Sequence, residues 1–376
     1  MITRKFENIS ENVPLLGFGC MRLPVKSSFA DIDEEKAQEM VDYAMAHGVN
    51  YFDTAWMYHD GNSERFLAKA LAKYPRGSYF LNSKMPTMFI KSEADVERIF
   101  NEQLKKCGVD YFDFYLLHNL GEDHLKIMRK HRVYEQVREK LETGQIRHFG
   151  FSFHGRPETL LEIVDNYEFE FAQIQLNYLD WDLQNASALY KILEDRKLPV
   201  IIMEPLRGGA LARLCDESLR IFGEANTSVS AASWALRFAA SLPGVMTVLS
   251  GMTELPQVKD NIATMENFRP LDDGERETIE KALDAYRKSL AIPCTACRYC
   301  MDCPQGVDIQ RVFAVYNNYR AGIVNRRPMN DMLFRTENEL IGEDHLASQC
   351  IACGQCVELC PQSIDIPHWM EVISAV

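Results

Sequence analysis

Eight of the eleven cysteines fall in two runs, Cys294-Thr-Ala-Cys-Arg-Tyr-Cys-Met-Asp-Cys-Pro304 and Cys350-Ile-Ala-Cys-Gly-Gln-Cys-Val-Glu-Leu-Cys-Pro361. Each run spaces three cysteines by three and sets a fourth directly before proline, the ligand pattern of a module with two 4Fe–4S clusters. In that pattern the cysteine before proline serves the other run's cluster. The expected ligand sets are therefore Cys294, Cys297, Cys300 and Cys360 for one cluster, and Cys350, Cys353, Cys356 and Cys303 for the other. Only two residues separate Cys300 from Cys303, one fewer than usual. Because Cys303 is assigned to the distant cluster, the shortening is expected to be tolerated.

Zinc and disulfides compete for these cysteines. Zinc sites usually pair two C-x-x-C knuckles and need four ligands, so two runs of four that each end in Cys-Pro fit them poorly. Disulfides need an oxidising compartment, and the polar stretch Met1 to Asn12 lacks the apolar core of an export signal. A cytoplasmic protein is expected.

A second group of residues has complementary chemistry. Asp53, Lys84 and His118 each stand at the end of a short apolar run, and Tyr58 lies five residues beyond Asp53. Carbonyl reduction needs a hydride on carbon and a proton on oxygen. A phenol with a pKa of about 10 relays that proton poorly until a nearby cation stabilises its phenolate. Lys84 can be the cation, Asp53 can hold its ammonium, and His118 can donate to the substrate oxygen as charge develops there.

The elements that must position these groups follow from the pattern around them. Apolar runs at Leu15–Phe18, Tyr51–Asp53, Tyr79–Lys84, Phe112–Leu117, Ile146–Ser152, Phe171–Leu176, Pro199–Met203 and Met246–Leu249 read as strands. Amphipathic segments lie between them. Asp33 to His47 stops at Gly48, Ser92 with Asp95 opens a helix that Gly108 ends, and Pro157 and Pro256 sit where a first helical turn tolerates proline. Eight strands alternating with eight helices over about 250 residues predict an α/β protein, a (β/α)8 barrel whose strand ends carry the chemistry. A doubly wound sheet is disfavoured, since no Gly-x-Gly-x-x-Gly follows a strand.

The expected organisation is a barrel over residues 1–270, a connecting helix over 271–290 and a small, mainly helical ferredoxin-like domain over 291–376. Helices are expected at Asp273–Ser289, Ile309–Tyr319 and Asn338–Ala347. The last lysine is Lys288, and residues 291–376 hold six Arg against ten Asp and Glu. A formal charge of −13 for the whole chain argues against nucleic acid and anionic membranes as partners. No apolar run approaches the ~20 residues of a spanning helix.

The segment Asn50-Tyr-Phe-Asp-Thr-Ala-Trp-Met-Tyr58, with Gly61, Ser63 and Glu64, then Lys84 and Leu116-Leu-His118, resembles the aldo/keto reductases. The opening Leu16-Gly-Phe-Gly-Cys-Met-Arg-Leu-Pro24 fits as well, and the appended cysteine module resembles the ferredoxin-fused subgroup. The resemblance implies a catalytic tetrad of Asp53, Tyr58, Lys84 and His118, with NADPH or NADH extended across the barrel mouth. It further implies backbone approach to the nicotinamide half at Gly19, Cys20 and Met21, and carboxamide contacts from Ser152 and Gln173. Phe153 stands where the family usually has Asn, and Met203 where an aromatic commonly stacks on the ring. Pro205, Leu206, Gly208 and Gly209 resemble the pyrophosphate loop. Ser250, Gly251, Gln257, Asp260 and Asn261 resemble the adenosine segment. NADPH-specific members often carry Lys and Arg at the positions of Gly251 and Gln257, which leaves Lys259 as a substitute clasp and the nucleotide open.

A hydride carries two electrons and a cluster passes one. A flavin is a candidate converter, although no flavin motif is evident in the sequence. Three readings compete: a nicotinamide-dependent oxidoreductase on small carbonyl or alcohol substrates whose clusters serve a redox partner protein or the site; a reductase with structural clusters; and an electron-transfer or redox-sensing protein whose barrel only binds nucleotide or a partner. Trp56, Trp181, Met85 and Phe89 are candidates to line an apolar pocket. His59 and His154 read as solvated or structural.

Overall fold

A computed structural model describes residues 1–289, 292–294, 300, 303–320, 345–360 and 362–375. Eight parallel strands close into a barrel. They are β3 (Leu16–Gly19), β4 (Tyr51–Asp53), β5 (Phe80–Met85), β6 (Phe112–Leu117), β7 (Ile146–Phe153), β8 (Phe171–Gln175), β9 (Val200–Met203) and β10 (Val245–Gly251), with β10 pairing β3. These are the eight apolar runs, shifted by a residue or two at their ends. The runs are continuous rather than alternating because side chains fill the barrel inside and helices cover it outside, as in β6, where all six residues are buried.

An antiparallel hairpin precedes the barrel, β1 (Thr3–Phe6) and β2 (Ile9–Pro14). Its Ile9 and Val13 join Tyr51, Phe114, Phe171 and Met246 in one buried cluster. Arg4 adds hydrogen bonds to the carbonyls of Ala240, Leu242 and Val245.

Helix ends follow the sequence signals. Asp33 accepts from Lys36 N, Ser92 and Asp95 form a capping box, Gly108 closes that helix at φ 64°, and Pro157 and Pro256 lie in first turns. The alternation is looser than the expected eight-and-eight, because two helices follow each of β6, β8 and β9.

The chain divides into two compact units, Met1–Ala212 with Ala232–Leu271, and Arg213–Ala231 with Asp272–Val376. The helix Asp216–Ala225 thus belongs to the second unit, where Ser218 Oγ donates to the Ala282 carbonyl at 2.7 Å. The helices Asp273–Ser289 and Ile309–Arg320 form close to where the sequence puts them. The expected Asn338–Ala347 helix lies largely outside the described residues, and Ala347 begins a short turn, Ala347–Gln349. Ile292, Phe313, Tyr316, Ile366 and Met370 anchor the second unit's core, with Cys294, Cys300, Cys303, Cys350, Cys356 and Cys360 packed against it. Among the described residues no helix is long and apolar enough to cross a membrane.

Candidate active site

Asp53 ends β4 and Lys84 lies near the end of β5, neighbouring strands in register at Asp53 and Asn82. Lys84 Nζ donates to both Asp53 oxygens at 2.7 and 2.8 Å and to the Thr54 carbonyl at 2.7 Å, and it lies 3.4 Å from the Tyr58 hydroxyl. Its side chain is 0% exposed. A buried ammonium is tolerable only when paired and hydrogen-bonded, and here the acceptors surround it. Asn82 points the same way as Lys84, two residues on along β5, and donates to Asp53 at 2.5 Å.

Burial pushes the Tyr58 phenol above its ordinary pKa, and the Lys84 charge opposes that rise. Burial also acts to lower Lys84, but the Asp53 charge overrides it and leaves the ammonium above its usual range. Asp53 is raised by burial against the pull of Lys84 and Asn82. The Tyr58 and His118 rings meet edge to face, centroids 6.2 Å apart. Burial first, then the Lys84 charge, holds His118 well below the usual imidazole pKa, which favours a neutral ring. Its Nδ1 is buried without a partner.

A polar relay behind β5 fixes the Lys84 backbone. Gln103 Nε2 donates to the Lys84 carbonyl at 3.1 Å and to Glu64 at 2.7 Å; Ser83 also donates to Glu64, and Tyr115 to Gln103. Trp56 lies under the Lys106 ammonium, 3.3 Å from its ring centroid. Of the other pocket candidates, Met85 is fully buried, Phe89 is exposed, and Trp181 packs between Tyr190 and Phe238.

Of the expected nicotinamide contacts, Ser152, Gln173 and Met203 are neighbours on β7, β8 and β9, while Gly19 ends β3 and Cys20 and Met21 follow it. Ser152 pairs in register with Gln173, and its Oγ accepts from Asn119 N at 2.8 Å. Gln173 Nε2 faces the Met203 sulfur at 3.6 Å, while its Oε1 is buried without a partner, an acceptor suited to an amide N–H. Gly19 pairs with Gly251, and a Cβ on Gly19 would stand 3.3 Å from the Ser250 carbonyl. Cys20 is buried, with its thiol toward the Phe18 carbonyl, and Met21 is exposed. Phe153 is buried and packs edge to face on Phe151.

After β9 the chain turns through positive φ at Glu204, Arg207, Gly208 and Gly209, on either side of Leu206. Asn177 ties this turn by donating to the Glu204 carbonyl, and Arg207 donates to Asp180. Arg22, not singled out from the sequence, pairs with Glu204 at 3.1 Å. A Cβ at either Gly208 or Gly251 would meet Arg22 atoms at 3.2 Å, so this side chain lies along the groove between the two glycines.

At the expected adenosine segment Asn261 donates to Ser250 Oγ at 2.9 Å. Gln257 accepts from Thr253 N, and Asp260 receives the Thr264 hydroxyl on its carbonyl. Lys259, the candidate substitute clasp, lies over the Tyr43 ring at 5.3 Å.

In the second unit Cys303, Cys350, Cys353 and Cys356 line one cavity with Val307, Ile366 and Met370. Burial raises the Cys356 thiol, and the neighbouring Cys350, Cys303 and Cys353 thiols add to the rise. Among the described residues no three metal-binding side chains converge on a single ion position. Four sulfurs ringing a space suit a four-iron cluster, in which each thiolate binds its own iron; a zinc ion would need all four at about 2.3 Å. Cys294, Cys300 and Cys360 pack on the same core, and Cys297 lies outside the described residues.

The aldo/keto reductase family profile matches residues 15–284, and a 4Fe-4S dicluster domain profile matches residues 293–364. An uncharacterized oxidoreductase, YqkF, of Bacillus subtilis is 22% identical, over 75% of this chain and 99% of its own. L-galactose dehydrogenase of Arabidopsis thaliana is 24% identical, over 71% and 89%. Among solved structures, aldo-keto reductase AKR11C1 from Bacillus halodurans in its holo form superposes with a TM-score of 0.63 at 26% identity, covering 75% of this chain and 96% of that one. An aldo-keto reductase from Klebsiella pneumoniae in complex with NADPH shares the fold, with a TM-score of 0.59 at 22% identity over 76% and 96%.

Proposed function

The chain belongs to the aldo/keto reductase family and carries a C-terminal 4Fe–4S dicluster domain, and we propose that it reduces a small carbonyl, or oxidises the matching alcohol, with a nicotinamide nucleotide. The observation that carries this reading is the fully buried Lys84 ammonium, held by Asp53 at 2.7 Å and set 3.4 Å from the Tyr58 hydroxyl. When bound, the nucleotide supplies or accepts the hydride. Tyr58 gives its proton to the substrate oxygen, Lys84 stabilises the phenolate left behind, and Asp53 keeps the ammonium oriented. His118 donates a neutral N–H to the same oxygen.

Gln173, with an unpaired buried Oε1, and Ser152 suit the carboxamide. Gly19, Cys20 and Met21 are assigned to the nicotinamide half by the family resemblance, Met203 packs beside Gln173, and Leu206, Gly208 and Arg22 suit the pyrophosphate. At the segment of Ser250, Gly251, Gln257, Asp260 and Asn261, Gln257 is engaged by Thr253 and Lys259 by Tyr43. NADH fits that end better than NADPH, because a 2′-phosphate gains most from an unengaged cation.

The ring of Cys303, Cys350, Cys353 and Cys356 supports a second 4Fe–4S cluster beside the one assigned to Cys294, Cys297, Cys300 and Cys360, with both passing single electrons to a partner protein. A flavin would be needed to couple them to the hydride. The packing of six of these cysteines on the second unit's core favours a competing reading, clusters that are structural. A cytoplasmic setting suits thiolates that must escape disulfide formation.

Anaerobic, cluster-loaded protein given NADH or NADPH, with aldehyde turnover and EPR recorded together, tests both readings. Tyr58→Phe should abolish turnover, and wild-type turnover in that variant would sink the reductase reading. Nucleotide that turns over aldehyde without changing the EPR spectrum would leave the clusters structural or dependent on a partner.

A further inference from the structure

His59 follows Tyr58 directly, and its ring is 1% exposed rather than solvated. Two backbone groups of a segment thirty or more residues upstream hold it. Leu23 N lies 3.2 Å from Nε2, and the Phe29 carbonyl lies 2.6 Å from Nδ1. A backbone N–H can only donate and a carbonyl can only accept, so Nε2 carries the lone pair and Nδ1 the proton. The tautomer is fixed by its partners. The Phe29 ring stacks on the imidazole at 4.5 Å and 17°. Burial holds the ring's pKa below the ordinary value, in keeping with a neutral imidazole.

The backbone at this point requires such an anchor. His59, Asp60 and Gly61 run through φ values of 52°, 54° and 84°, a left-handed stretch that residues with a Cβ adopt reluctantly. That stretch sets the direction in which the chain leaves Tyr58. The same two segments are joined again by Ser63 Oγ to the Cys20 carbonyl at 3.0 Å and Asn62 Nδ2 to the Ala30 carbonyl at 2.9 Å. Between them, on the upstream segment, lie Met21 and Arg22 at the edge of the nucleotide groove.

We propose that His59 is a positioning residue for proton transfer: clamped between Leu23 and Phe29, it holds the left-handed turn that keeps the Tyr58 hydroxyl in register with Lys84, and ties that register to the Met21–Arg22 turn. The proposal rests on Tyr58 being the proton donor. Misplacing a reacting group by about 1 Å costs on the order of 100-fold in rate. An asparagine at this position can keep the donor toward Phe29, and a glutamine the acceptor toward Leu23. The two bonds are separable.

The test uses full-length, cluster-loaded protein under anaerobic conditions, with 4-nitrobenzaldehyde and either nucleotide as probes. His59→Phe, His59→Asn, His59→Gln and Tyr58→Phe are compared with wild type, and folding is checked by circular dichroism. In His59→Phe the expected result is a kcat lower by about 10- to 100-fold with the aldehyde KM within about twofold. The asparagine and glutamine variants should each regain part of kcat. A folded His59→Phe with wild-type kcat overturns the proposal while leaving Tyr58 in its role. If His59→Phe does not fold, wild-type kcat in both amide variants overturns it equally. Turnover that survives in Tyr58→Phe removes the underlying reading and this proposal together.

Discussion

Lys84 and Asp53 form a two-pronged ion pair, 2.7 and 2.8 Å, between the ends of adjacent barrel strands, with the lysine side chain wholly out of solvent. The Tyr58 hydroxyl lies 3.4 Å from the same ammonium, whose charge acts on the phenol and also on the His118 ring. Lys84→Met keeps the length of the side chain and removes the cation. We expect carbonyl reduction to fall by about 100- to 10,000-fold, measured as kcat in steady state. The same variant leaves Asp53 buried without its counter-ion, and stability should drop by about 3–5 kcal/mol in denaturant melts. A variant as stable and as active as wild type would mean the pair is neither structural nor catalytic.

At the opposite end of the barrel His148 bridges the N-terminal hairpin to the residue before β8, with Nε2 2.6 Å from Glu11 and Nδ1 3.4 Å from Glu170. Burial alone would lower its pKa, but the two carboxylates outweigh burial and raise it. A histidine raised on folding contributes stability that is complete below its unfolded pKa, about 6.5, and fades as pH climbs through the folded value. Glu11 is shifted down despite burial, by Ser10 and His148, so its contribution is present above its unfolded pKa and is lost as pH falls. Thermal midpoints should therefore decline as pH rises from about 6.5. His148→Gln should flatten that decline; an unchanged slope would detach it from this residue.

The strands were legible because each is a continuous apolar run, and helix ends because Asp33, Ser92, Asp95 and Gly108 act on backbone groups within a few residues. The hairpin was not. Its inward positions, Ile9 and Val13, are separated by polar residues and gain meaning only once the barrel exists to receive them. The same holds for the site. Asp53, Tyr58, Lys84 and His118 announce themselves by type at strand ends, whereas Asn82, Arg22 and His59 matter through partners far along the chain, Glu204 being the extreme case. Alternation along β5 could have flagged Asn82, two residues before Lys84 and on the same face. Lys259, a clasp candidate by type, is turned to Tyr43, which spacing alone does not reveal.

Arg22 lies along the groove between Gly208 and Gly251, its guanidinium paired with Glu204 at 3.1 Å. Glu204 also accepts from Gly208 N, so one carboxylate fastens both the arginine and the turn after β9. Removing the arginine should weaken nucleotide binding while sparing the proton-transfer geometry. For Arg22→Ala we expect nucleotide Kd to rise by about 10-fold, on the scale of one charge-assisted hydrogen bond, with kcat at saturating nucleotide nearly unchanged. Fluorescence titration against each nucleotide reads the first quantity and steady-state kinetics the second. A collapse of kcat with unaltered Kd would move Arg22 out of the pyrophosphate region.

Cys303 and Cys353 stand fifty residues apart in sequence and line the same cavity, with Cys350 and Cys356 completing the ring. That arrangement fits the proposal that the first run lends its last cysteine to the second run's cluster, although only two residues separate Cys303 from Cys300. The short spacer is compatible with the loan because Cys303 lines this cavity with Val307 and Ile309, beside the second run's Cys350, Cys353 and Cys356. Cys303→Ser should then share the phenotype of Cys353→Ser, with iron falling from about eight to about four per chain and one EPR signal lost. Cys360→Ser should remove the other signal. If Cys303→Ser instead matched Cys300→Ser, the loan would not occur, and each run would hold its own cluster.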